Sequence, residues 1–180
     1  FKQIYAIDFE FYGDDGENPQ IVCMVVQDLR TGDISRFWRD ELLKMKTPPF
    51  KTGENTLIVT FFASAEIQSM LALNWPTNIT VINLFTEFRC ATNGNPDVGR
   101  KGLINALAYY QLDHLIPEQK DAMRALILSG GPWSKDQTQA ILDYCTEDVV
   151  ALAPLLDAML SENPWTCLLY TSDAADDGLS

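Results

Sequence analysis

The chain has 180 residues, 47% hydrophobic and 21% charged, with a formal net charge of -12. That composition excludes global disorder and a fibrous repeat, and the length suits one domain with a substantial core. The acidic balance leaves no broad basic surface, so bulk electrostatic binding of nucleic acid is excluded, whereas metal ions held by the surplus carboxylates would fit it.

Gln3 to Phe11 alternates and is rich in Ile, Tyr and Phe, which predicts a strand. Asp14 to Pro19 reads as a turn, Ile21 to Asp28 as a second strand and Ile34 to Trp38 as a third, giving an antiparallel meander. A Pro- and Gly-containing loop follows, then a buried strand from Thr56 to Phe61. Ser64 is the expected cap of a helix reaching Leu73, with Pro76 beyond its end. Ile79 to Leu84 predicts another short strand, and the stretch Ile82 to Arg89 reads as its continuation. From Gly102 onward the pattern is helical: Leu103 to Gln111, Pro117 to Ser129, and Ser134 to about Leu160. Ser134 and Gln137 have the spacing of a capping box, and Pro154 should kink or break the last helix. A meander followed by alternating helix and strand predicts an α/β fold, with a mixed sheet flanked by helices in RNase H-like order.

The four cysteines (Cys23, Cys90, Cys145 and Cys167) show no CxxC spacing, and His114 is the single histidine. Neither a zinc ribbon nor a disulfide framework is suggested, and a reducing, cytoplasmic setting is expected. No apolar run approaches the ~20 residues of a membrane span, so no membrane partner is expected. The sequon at Asn78 is read as chance. Cys167 to Asp176 resembles the translation of a transposase-type sequencing adapter, so the expected domain is residues 1–166 with a foreign tail at 167–180. The chain, which starts at Phe1 without Met, reads as a monomeric piece of a longer protein.

Two clusters carry chemistry. In Ile7-Asp8-Phe9-Glu10-Phe11, strand period two puts Asp8 and Glu10 on one face, ~7 Å apart along the strand. Two carboxylates there repel unless water or a cation screens them, and hard oxygen ligands suit Mg²⁺ or Mn²⁺. In Asp143-Tyr144-Cys145-Thr146-Glu147-Asp148, Tyr144 and Asp148 share the helix face that also carries apolar residues. Asp143 and Glu147 belong to a solvated face.

Asp8-Phe9-Glu10 in a first strand with a late Tyr144-x-x-x-Asp148 resembles the DEDD superfamily of 3′–5′ exonucleases. The likeness is to its Tyr variant, as in the proofreading domains of family A DNA polymerases, and it covers roughly residues 3–160. The His variant does not fit, because Gln119 stands where its aspartate would follow His114. For the third acidic position, Glu66 near the start of a helix is favoured over the Asn83 position, although the family usually has Asp there. The resemblance implies two-metal hydrolysis of phosphodiesters with two Mg²⁺ or Mn²⁺ ions. Asp8 would bridge both, Glu10 and Asp148 would complete one site, Glu66 would hold the other, and Tyr144 would orient the attacking water. It further implies a single-stranded DNA 3′ end as substrate and a covalently attached polymerase domain.

Candidate substrate contacts are Phe9 and Phe11 (with core packing as the alternative), Tyr12, Glu87 and Arg89 (with pairing to each other as the alternative), Arg100 and Lys101. Lys120, Arg124 and Lys135 could reach phosphates or simply face solvent. A stand-alone exoribonuclease and an inactive RNase H-like binding module are the other readings at this point.

Overall fold

The computed structural model describes residues 1–13, 18–96, 98–99, 102–113 and 117–162, the side chains of 117–119 aside. The predicted turn at Asp14–Pro19 is therefore seen only at its end, and Arg100, Lys101, His114 and the 166/167 boundary lie outside the described residues.

Five strands form one sheet: β1 (Gln3–Tyr12), β2 (Gln20–Asp28), β3 (Ile34–Trp38), β4 (Thr56–Thr60) and β5 (Thr80–Asn83), in the order β3-β2-β1-β4-β5. The meander β1-β2-β3 is antiparallel, while β4 and β5 run parallel to β1. This is the mixed sheet of an RNase H-like fold. Helix α2 (Ala63–Ala72) makes the crossover between β4 and β5.

Period two divides β1 between two cores. Ile7 and Phe9 enter a core with Met24, Ile58, Met70 and Trp75 beneath α2 and the short α1 (Arg39–Leu42). Ala6 enters a larger core with Val22, Leu57 and Val59. That second core is closed by α3 (Leu84–Ala91), α4 (Leu103–Tyr109), α5 (Pro117–Leu128) and α6 (Lys135–Glu162). Asp8 and Glu10 point to this helix-covered side.

Several expectations change. Residues 39–42 form a short helix rather than loop, and the expected strand over Ile82–Arg89 ends at Asn83 and is helix from Leu84 onward. There the Asn83 side chain accepts the Thr86 N–H at 3.4 Å and caps α3, whose Leu84 and Phe88, four residues apart, are buried together. Glu87 and Arg89 accordingly ride on a helix and do not pair with each other: Arg89 lies 5.5 Å from the Phe85 ring centroid. Ser64 does not cap α2, which begins one residue earlier after Phe62, without a side-chain cap. Nor does Pro154 end α6, which continues to Glu162. Pro154 is exposed, as is Val150 one turn earlier, so water can satisfy the carbonyl that loses its donor. The capping box forms as predicted, with Ser134 N–H donating to Gln137 (2.8 Å) and Gln137 N–H donating to Ser134 Oγ (3.2 Å).

Candidate metal centre

Four carboxylates from three elements meet at the carboxyl end of β1. Its register with β2 slips after Glu10, which faces Cys23 while Phe11 faces Ile21, so β2 carries one extra residue beside the site. On the other edge β4 pairs only with Gln3–Ala6, leaving the second half of β1 uncovered there. Glu66, in the first turn of α2, fills that gap: the Phe9 N–H donates to its carboxylate. From above, α6 brings Tyr144, Cys145 and Asp148. A cleft of about 520 Å³ is lined by Asp8, Glu10, Glu66, Tyr144 and Asp148 together.

The electrostatics are those of crowded anions. Burial, and then the charge of Asp148, push the Asp8 carboxyl up to about 7. Burial followed by Asp8 raises Glu10, and burial followed by Asp8 and Glu10 raises Glu66. Glu66 is 3% exposed, yet its Oε2 has no hydrogen-bond partner among the described residues. A buried carboxylate oxygen without a donor, facing two more carboxylates, fits a divalent cation: hard oxygens in surplus are what Mg²⁺ and Mn²⁺ bind. Tyr144 is buried and hydrogen-bonded to Asp148, and burial together with the Asp148 charge raises its hydroxyl further, so it stays protonated.

Four more residues join the site: Cys145 and Phe62, which sequence reasoning gave no role, and Lys120 and Arg124, which it left between phosphate contact and solvent. Cys145 donates its S–H to Asp8 Oδ2 at 3.4 Å. Lys120, on α5, puts its Nζ 2.8 Å from Asp148 Oδ2 and 5.4 Å from the Tyr144 ring centroid. Arg124, one turn further along α5, lines the same cleft. The (i, i+4) spacing of Lys120 and Arg124 was the available signal that they share a face. The fourth is Phe62, which lines the same cleft, is 46% exposed and sits edge-on to Phe85 at 5.1 Å.

Phe9 borders the cleft, but it is 4% exposed with its ring 6.1 Å from Trp75; Phe11 also borders it and packs against the same core. Tyr12 packs edge-on against Trp133 at 6.1 Å. Asn83, Glu87, Arg89 and Lys135 do not line the cleft. On the outer face of α6, Asp143 is exposed but not merely solvated: Arg36 of β3 holds it at 2.6 Å and Gln139 at 2.9 Å. No helix among the described residues is long and apolar enough to cross a membrane.

No family model matches this chain, and no curated protein matches it. Among solved structures it is similar to one described as the apo form of a nuclease, with a TM-score of 0.64 and 17% identity, covering 97% of this chain and 79% of that one. The Nibbler EXO domain of Aedes aegypti aligns over 89% of this chain and 80% of that chain, at 9% identity and a TM-score of 0.44. The first of these likenesses, taken with the strand order and directions of the sheet, shows the RNase H-like α/β fold of this chain.

Proposed function

We propose that this chain is a metal-dependent nuclease that removes nucleotides from the 3′ end of a DNA strand, as the exonuclease portion of a longer polymerase. The observation that carries the reading is the convergence of Asp8, Glu10, Glu66 and Asp148 on one cleft, with the buried Glu66 Oε2 unpartnered. The nuclease fold of the solved neighbour supports it.

Asp8, Glu10, Glu66 and Asp148 would hold the divalent ions, which when bound supply an activated water and screen charge on the phosphodiester. The remaining steps belong to the chain's own residues. Tyr144, kept protonated and hydrogen-bonded to Asp148, would orient the nucleophile through its hydroxyl; it is no general base. Lys120 and Arg124 present positive charge to a phosphate entering an otherwise acidic cleft. Phe62 offers an exposed ring on which a terminal base can stack.

The test is direct. The chain is incubated with 5′-labelled single-stranded DNA, or the matched RNA, in Mg²⁺, Mn²⁺ or EDTA. A ladder shortening from the 3′ end of DNA, absent in EDTA and in Asp8→Ala and Asp148→Ala, is the expected result. Faster shortening of RNA would reassign the substrate. No metal-dependent cleavage of either strand would overturn the reading in favour of an inactive binding module.

A further inference from the structure

We propose that Asp8, Glu10 and Cys145 form a site for a thiophilic divalent cation of the zinc, cadmium or cobalt class, with the Cys145 sulfur as a ligand. This rests on the metal-centre reading above and adds a donor that an all-oxygen site lacks.

Three observations support it. One donor atom from each of Asp8, Glu10 and Cys145 lies within 4.8 Å of the others. The Cys145 Sγ to Asp8 Oδ2 distance is 3.4 Å. A tetrahedral zinc, with bonds of ~2.3 Å to sulfur and ~2.0–2.2 Å to oxygen, holds such a pair roughly 3.6 Å apart, so little movement is required. Finally, the buried Oε2 of Glu66 has no partner and faces the same carboxylates, which marks the cluster as built for positive charge.

In the metal-free protein the Cys145 proton lies in the S–H···O bond to Asp8. On binding, the S–H bond breaks, its proton leaves to solvent, and the sulfur electron pair forms the bond to the cation. Asp8 exchanges the S–H donor for the same ion. Mg²⁺ has little affinity for thiolate and would use only the oxygens, whereas zinc-class ions gain from the sulfur. The cleft would therefore admit two classes of cation in two ligand sets.

Cobalt(II) chloride is the probe, because a Co–thiolate bond gives a near-ultraviolet charge-transfer band. It is titrated into the full chain carrying Cys90→Ser and Cys167→Ser. The expected result is a saturating band that Cys145→Ser abolishes and Cys23→Ala retains. Calorimetry should show cobalt still binding Cys145→Ser, about 10–100-fold more weakly. Cys145→Ala, checked by thermal melting, repeats the test without a hydroxyl. Cobalt binding with no charge-transfer band, or a band that survives Cys145→Ser, would overturn the sulfur ligand and leave the oxygen-based centre standing. No cobalt binding at all would remove both.

Discussion

Stripping divalent cations should make this protein less stable as pH rises through the weakly acidic range. Asp8 carries the calculation. Its carboxyl is pushed from an ordinary 3.8 up to about 7 in the folded chain, by burial and by Asp148. A raised carboxyl means that the folded state holds its proton longer than the unfolded one. Below about pH 4 both states are protonated and the group contributes nothing. From there to about pH 7 the unfolded chain ionises first, and folding loses about 4 kcal/mol in all, after which the loss is constant. Glu10 and Glu66 are raised for the same reasons and add to the fall. For a domain of this size, about 4 kcal/mol corresponds to a drop in melting temperature of roughly 8–16 °C. The assay is a melting series in EDTA across that range, followed by Mn²⁺ at the upper end, which should restore the lost stability by binding only the folded state. Asp8→Asn, a neutral residue of the same shape, should flatten the slope and melt above wild type in EDTA near neutral pH. A metal-free profile that is flat or rising from about pH 4 to about pH 7, or an Asp8→Asn variant as pH-sensitive as wild type, would refute the reasoning.

Glu66→Gln should weaken Mn²⁺ binding about 10–100-fold by calorimetry. Asn83→Ala should leave Mn²⁺ binding alone and cost about 0.5–2 kcal/mol of stability through the lost cap of α3, read by denaturant unfolding. Lys120→Met removes the ion pair on Asp148, so without metal it should lose about 1–3 kcal/mol. The same variant should bind Mn²⁺ more tightly, because no resident cation competes for Asp148, and should raise KM for an oligonucleotide; unchanged metal affinity would contradict this. Phe62→Ala should raise KM for single-stranded DNA about 5- to 100-fold, the worth of one stacked base, with kcat little changed. Its stability should stay within about 1 kcal/mol of wild type, since Phe62 is exposed.

The strands were legible because alternation is a short-range signal: Ile7, Phe9 and Phe11 against Asp8 and Glu10 defined both a strand and its two faces. Tyr144 and Asp148 were legible as a pair because helical spacing puts residues four apart on one side. Helix α3 was not, because Leu84-Phe85 followed the apolar Val81-Ile82 and extended a strand-like run; the turn depends on the Asn83 cap, a contact of a single side chain. Glu66 was found by resemblance rather than by periodicity, since nothing local shows that α2 begins where β4 stops pairing with β1. Cys145 was hidden, and Lys120 left undecided between phosphate contact and surface, for a plainer reason. A single thiol reads as a small core residue and a single lysine as surface, until residues 137 and 28 positions away in the chain are brought against them.

Under the proposed function, the same long separations govern when the protein becomes able to cut. β1 is synthesised first and holds two of the four carboxylates; α6 comes last among the described elements and brings Asp148 and Tyr144. Glu66 follows on α2, so a growing chain holds three of the four carboxylates before α6 is made. It gains the fourth, Asp148, together with Tyr144, only when α6 docks on the sheet, the step that also buries the larger core. Under the proposed function, hydrolysis is withheld from a nascent or prematurely ended chain by the order of its own elements.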